Sequence, residues 1–445
     1  MNRKSALLVA VAALFVAGCT LGLPKGRPVK LPAAAPAPER TPIYKLAGWT
    51  IARASLHNHT VYSDGRYEPE DLLELAHRQG IAILAYNDHR EGKICVGKAL
   101  CIQAGGVEQV GYEAYFRRLE PIQARARELG MIATRGVEVS SPWFYNTGKY
   151  PNLVLNDQYK HFTVYGVKDP KILAEMPARR NLETTKPETV PGDTPIQNWL
   201  NFLDEHGAIV NAAHVEEGQD EWWGGIHVLT IPPIYNLHLQ RLNGFAALPS
   251  AWHDRTAGPG GLWDTDLSEY LLGLRDRPLW TMGDADFHGP GGSLANATTL
   301  FYMKEFTEDE VYRCMREGRM VALMGDSFQD VYVTEWSVSA GAAAPADPIM
   351  LGADVKIKGV PVIRFALSRE FGDLRARLIR NGVVVKEVAG GRLEFADEEQ
   401  AKKMEPAFYR VEVVGPALPS VKRQNYPTDR ASELFVNPIF VRFGR

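Results

Sequence analysis

Short apolar runs in this chain end, one after another, in a histidine or an acid. ARASLH leads to His57 and His59, with Asp64 in the Ser-Asp-Gly turn that follows, and IAILAY leads to His89. MIATRGVEV carries Glu138, HFTVYGV opens on His161, AIVNAAH ends in His214, and PLWTMGD precedes Asp286 and His288. Runs of this kind read as buried strands, and residues two apart, such as His57 and His59, leave a strand on one face. Helical patterns separate the runs: PEDLLELAHRQG closed by Gly80, then 111–130, 194–206 before Gly207, and 264–275. The alternation predicts an α/β domain with parallel strands, as an open sheet or a barrel, whose strand ends converge on one mouth. One histidine at a strand end is ordinary structure. Six histidines and three acids at matching ends predict a metal centre, too rich in donors for one zinc. Imidazole and carboxylate suit zinc, manganese or iron.

The 445 residues are 45% hydrophobic and 23% charged, enough for a large domain and a smaller one. The net charge of −3 excludes the basic footprint of a protein that grips long nucleic acid, so no stable nucleic-acid partner is expected. Arg3 and Lys4 followed by LLVAVAALFVAG make a signal-type leader, too short for a comfortable membrane span. Val16–Cys19 resembles the lipobox of bacterial lipoproteins, which implies a signal peptide at 1–18 and lipidation of Cys19. Thr20, in place of Asp, implies passage to the outer membrane, facing the periplasm, with the lipid on Cys19 as sole membrane contact. Residues 19–45, rich in Pro and Ala, read as a tether. The α/β domain is expected over 46–333. A small antiparallel β-sandwich is expected over 335–445, where Asn381-Gly382 marks a type I′ hairpin turn. Cys95 and Cys101, in an irregular segment, are either a disulfide or free thiols, and Cys314 reads as a core residue.

SLHNHTVYSDG, NDH, GVEVS, HFTVYG, AAHVEEG and the Asp-x-His of GDADFH together resemble the PHP superfamily, named for polymerase and histidinol phosphatase, over about residues 50–330. The resemblance implies a distorted seven-stranded β/α barrel of PHP type holding two or three divalent ions. It assigns His57, His59 and Asp286 to one ion, with Glu138 bridging to a second completed by His161 and His214. A third falls to Asp64, His89 and His288. Two features depart from the family: Val215 follows His214 where Pro is usual, and 91–112 is an insert expected to overhang the mouth.

The chemistry implied is hydrolysis by a hydroxide bridging the metals near neutral pH. His253, with Asp254 to orient it, is the candidate general acid. Arg135, Lys160 and Arg255 are candidates to hold an anionic group, and Asp88 and Asp284 read as hydrogen-bond partners of the ligands. Trp222, Trp223 and Trp252 are candidates to line a pocket for a ring-bearing substrate. The leading reading is a phosphoesterase acting on a small anionic substrate, as a phosphatase or a nucleotide phosphoesterase like the 5′–3′ exonucleases. A second is carbamate or ester hydrolysis, because the β domain and the ending ELFVNPIFVRF resemble the carbaryl-hydrolase branch. A third is a non-catalytic envelope-binding lipoprotein; an open nitrogen-and-oxygen donor set, without thiolates, argues against that. The sequence leaves the oligomeric state open.

Overall fold

The structure is a computed structural model that describes residues 21–22, 28–31, 43–96, 100–103, 105–145, 153–177, 193–223, 226–248, 255–325, 328, 330–341, 345, 347–370, 372–417 and 431–444. The leader, Cys19, His253, Asp254 and Trp252 lie outside the described residues. No helix among the described residues is long and apolar enough to cross a membrane.

The α/β region is built from β1 (Trp49–Asn58), α1 (Pro69–Arg78), β2 (Ile83–Tyr86), α2 (Tyr112–Glu128), β3 (Ile132–Ser140), β4 (His161–Tyr165), α3 (Asp193–Glu205), β5 (Ile209–Ala212), β6 (Gly244–Leu248), α4 (Leu262–Leu271) and β7 (Trp280–Gly283). It continues through β8 (Ala297–Met303), α5 (Glu308–Glu317) and β9 (Met320–Met324). The sequence marks the helix ends plainly. Thr307 accepts a bond from Glu310 N at the start of α5, and Gly318 ends it in the left-handed conformation. Leu72, Leu73, Phe116, Leu119, Trp199, Leu203, Trp263 and Cys314 bury the inner faces of the five helices in one core with the strands. Cys314 is therefore the core residue expected of it.

Strands β7-β6-β5-β4-β3-β2-β1 lie side by side in that order. Beyond β7 the chain returns to β1, where Ala285 N donates to Leu56 O and Phe287 N to His57 O, both at 3.1 Å, so the two ends of the row meet. One strand departs from the expected parallel arrangement. β4 is antiparallel to both β3 and β5. Its first residue, His161, therefore reaches the end of the row where its neighbours place their last residues.

The C-terminal region includes β10 (Val333–Ala340), β11 (Pro361–Leu367), β12 (Arg375–Arg380), β13 (Val383–Ala389), β14 (Arg392–Ala396), β15 (Ala407–Ala417) and β16 (Ala431–Phe443). Asn381 and Gly382 take φ of 48° and 83°, as a type I′ turn requires between β12 and β13. One feature of the C-terminal region was not foreseen in the expected sandwich. The large sheet runs on from β1 through β8-β9-β16-β15-β12-β13, so one C-terminal layer is continuous with the α/β sheet. A separate sheet, β10-β11-β14, supplies Trp336, Ile363, Phe365 and Leu393 to a second core shared with Trp49, Ile51, Leu300 and Tyr302.

The expected irregular insert is partly regular: Lys93–Val96 and Leu100–Gln103 form an antiparallel pair in which Cys95 stands opposite Cys101. It is tied to the mouth, because Val107 N donates to His89 O at 2.8 Å.

Candidate metal centre

Nine side chains from six stretches of sequence meet at the mouth. His57 is the penultimate residue of β1, with φ of 63°, and it is fully buried. Its Nδ1 donates to Asp284 Oδ2 at 2.9 Å, which fixes the tautomer and turns Nε2 inward. That Nε2 lies 3.1 Å from Glu138 Oε1 and 3.3 Å from Asp286 Oδ1. His59 is held in the same manner. Its Nδ1 is 3.2 Å from Ser63 Oγ, which itself donates to Asp88 at 2.7 Å, so the ring presents Nε2 to Asp286 at 3.3 Å and Glu138 at 3.4 Å.

Glu138 is the hub. Only 1% exposed, it also faces His89 Nδ1 at 2.8 Å, His161 Nδ1 at 3.2 Å and His214 Nε2 at 3.2 Å. Outside this inner shell, Asp64 Oδ2 stands 3.2 Å from His288 Nε2 and 3.5 Å from His89 Nε2. The turn bearing Asp64 folds tightly over the site. A Cβ on Gly65 would lie 2.3 Å from the His59 carbonyl carbon, so only glycine fits there. Arg66 N donates to His288 O and Val29 N to Arg66 O, both at 2.8 Å, which ties the N-terminal segment to this outer edge.

Among the described residues, three ligand groupings have donor atoms within 4.8 Å of one another: His57, His59 and Asp286; His89, Glu138 and His161; and His59, Asp64, His89 and His288. The first trio coincides with the expected one. In the other two, His89 joins Glu138 and His161, with His214 Nε2 also 3.2 Å from each of those two, and His59 joins the outer group.

The donor set fits divalent cations. His57 Nε2 and His59 Nε2 are buried and lack any hydrogen-bond partner, although carboxylates stand within 3.4 Å. Leaving such an atom unsatisfied costs about 1–3 kcal/mol, so lone pairs aimed at a common point are best explained by a cation. The charges agree. Burial opposes ionisation of Glu138, yet His57 and His161 hold it well below the usual carboxylate range. Burial likewise opposes protonation of His57, but Asp284 and Glu138 raise it well above an ordinary imidazole. His59, buried and beside His288, falls to about 4 and stays neutral. A site that gathers carboxylates around buried rings is built for added positive charge.

Asp284 takes the role expected of it by bonding His57, whereas the Asp88 carboxylate bonds none of the candidate ligands and reaches His59 only through Ser63. Asp88 accepts from Thr60 N, Thr60 Oγ1 and Ser63 Oγ at 2.7 Å and from Tyr115 Oη at 3.0 Å, fixing the loop that carries Asp64. The cationic candidates need correction. Arg135 lies with its guanidinium 5.5 Å from the Phe116 ring of α2, on the face of β3 opposite to Glu138. An odd spacing along a strand reverses the face. Lys160 is buried in an ion pair with Asp157 at 3.2 Å. Arg255 is exposed and lines an open cavity of about 360 Å³ with Ile234, Tyr235, Leu262 and Thr265. Trp222 is 62% exposed and stacks on His227.

Sequence reasoning missed Ser63 and Tyr159. The Tyr159 ring lies 4.8 Å from that of His161 and 5.4 Å from that of His214, walling one side of the site. Its position two residues before a strand-opening histidine was the available signal.

No protein-family model matches the chain, and no curated protein matches it. Solved structures do resemble it. A two-domain protein from Bacteroides vulgatus, containing a predicted PHP-like metal-dependent phosphoesterase, is 13% identical, spans 91% of this chain and 100% of its own, and gives a TM-score of 0.42. An amidohydrolase from Chromobacterium violaceum, with sulfate bound and no metal, is 17% identical over 54% of this chain and 88% of its own, with a TM-score of 0.26.

Proposed function

We propose that this chain is a metal-dependent hydrolase built on a PHP-type seven-stranded barrel, and that it cleaves phosphoesters of small anionic substrates. The observation that carries the reading is the pair of buried Nε2 atoms of His57 and His59, each locked by its Nδ1 partner and aimed at Glu138 and Asp286. Divalent ions held by such donors supply Lewis acidity and lower the pKa of water towards neutrality. Zinc, manganese or iron suits the set, in two or three positions. The residues do the rest. Asp284 and Ser63 keep the two rings in the productive tautomer, and Glu138 joins the inner groups as an acceptor. The exposed edge at Asp64 and His288, 48% and 39% exposed, leaves the substrate a way in. Arg255, on the cavity with Tyr235, is the remaining candidate to hold an anionic group. His253 and Asp254 remain the proposed proton donor and its orienting partner, on the sequence reading alone.

Carbamate or ester hydrolysis is the second reading, favoured by the ending ELFVNPIFVRF. Its Asn437 is buried where it bonds both Thr281 of β7 and Met320 of β9. We propose further that the chain is exported and anchored through lipid on Cys19.

The test is a parallel assay of metal-replete protein on phosphomonoesters, phosphodiesters and aryl carbamates, with His59→Ala as control. Phosphoester turnover that falls at least about 100-fold in the control is expected, since losing even a partner behind a ligand costs about 10–100-fold. Unchanged activity in the control would sink the metal-hydrolase reading, and turnover of carbamates alone would transfer it to the second.

A further inference from the structure

His214 joins Glu138 and His161 in the inner group. Its Nε2 faces Glu138 and His161, both at 3.2 Å, while its Nδ1 is buried without a hydrogen-bond partner. The residue sits at φ of 25°, which side chains rarely adopt, and a tight turn follows. Glu217 N donates to His214 O at 2.9 Å, and Ile234 N donates to Val215 O at 2.8 Å, so the backbone returns to the ring it has just left. That return brings Glu217 Oε2 to 3.7 Å from His214 Nδ1. Tyr159 Oη donates to the same carboxylate oxygen at 3.4 Å, and the Tyr159 ring lies over the His214 ring, 5.4 Å away and 29° inclined.

We propose that Glu217, steadied by the Tyr159 hydroxyl, is a positioning residue that holds the His214 proton on Nδ1 and so frees Nε2 to bind a cation. The inference rests on the metal-hydrolase reading above. The chemistry is that of a carboxylate behind a ligating imidazole. A neutral ring carries one proton, and a negative charge beside Nδ1 keeps it there. Without that charge the proton can sit on Nε2, where Glu138 accepts it and the lone pair is lost to the ion. The present gap exceeds a hydrogen bond by roughly 0.8 Å, a movement well within the reach of a carboxylate that is 31% exposed. The arrangement also accounts for Val215. The turn is fixed by backbone bonds, so no proline is needed to hold it, and the bond that Thr256 donates to Glu216 Oε1 is one that glutamine keeps.

The test compares full-length wild type, Glu217→Ala, Glu217→Asp, Tyr159→Phe and Glu216→Gln, each stripped of metal and titrated with Zn²⁺ or Mn²⁺ against a fluorescent chelator. Metal content after dialysis and the visible spectrum of the Co²⁺-loaded protein are read alongside. Glu217→Ala should weaken one ion about 10–100-fold and alter the Co²⁺ spectrum, with metal-free melting unchanged. Glu217→Asp should recover part of the loss, Tyr159→Phe should lose less than Glu217→Ala, and Glu216→Gln should bind as wild type. Wild-type affinity in Glu217→Ala, or an equal loss in Glu216→Gln, overturns the inference. A wild type that binds no metal overturns the proposed function instead, and the two failures are distinguishable.

Discussion

At the scale of single residues, the candidate ligands were legible because chemistry was concentrated where strands end. The residues behind them were not. Ser63, Tyr159 and Glu217 act through contacts that fold back from other stretches, and spacing along one sequence does not show which side chain meets which ring. Arg135 was misread for a reason within reach: it is three residues from Glu138, hence on the opposite face of β3. Asp284 should behave as a holder of His57, and Asp284→Asn should lower metal affinity about 10–100-fold by equilibrium titration while leaving the metal-free protein folded. Asp266 offers a test that does not involve the mouth. Burial raises its carboxyl to about 7, although Arg275 stands 3.8 Å away, and one of its oxygens has no partner. A carboxyl raised in the folded state contributes stability that is complete below its unfolded value, near 4, and is lost as pH climbs through 7. Asp266→Asn should therefore gain on wild type between pH 5 and 8, by roughly 2–3 kcal/mol at about 1.4 kcal/mol per pKa unit, in denaturant melts across that range.

At the scale of elements, the alternation of strand and helix gave the α/β class, and Gly80 after α1 and Gly207 after α3 close their helices as expected, each at positive φ. The reversed direction of β4 was not, because a five-residue apolar run looks the same in either orientation. Nor was the partner of β16, which is chosen by side chains more than a hundred residues distant. Asn437 shows what holds it there. Fully buried in β16, it accepts from Thr281 N at 2.9 Å and donates to Thr281 O at 3.2 Å and Met320 O at 3.1 Å. Asn437→Ala should cost roughly 2–4 kcal/mol in a denaturant melt, since it strands backbone groups that water cannot reach.

At the scale of the whole molecule, the two regions share more than a boundary. Arg410 of β15 bonds Asp264 of α4, with its guanidinium 4.5 Å from the Trp263 ring, and Tyr270 meets Phe440 edge-on at 4.8 Å. Phe408, Phe435 and Phe440 belong to the same core as the strands that carry the ligands. Removing 335–445 should therefore give protein that is aggregated or melts well below full length, measured by soluble yield and thermal scan. A soluble fragment melting with the parent would show the regions to be independent. The uninterrupted sheet from β1 to β13 also bears on how such a chain can change over generations. A recombination event that replaced the ligand-bearing half alone would leave β16 with an open edge and Asn437 without its partners. Exchanges that persist should therefore carry both halves together, and lineages should alter this protein through its loops more readily than by trading its parts.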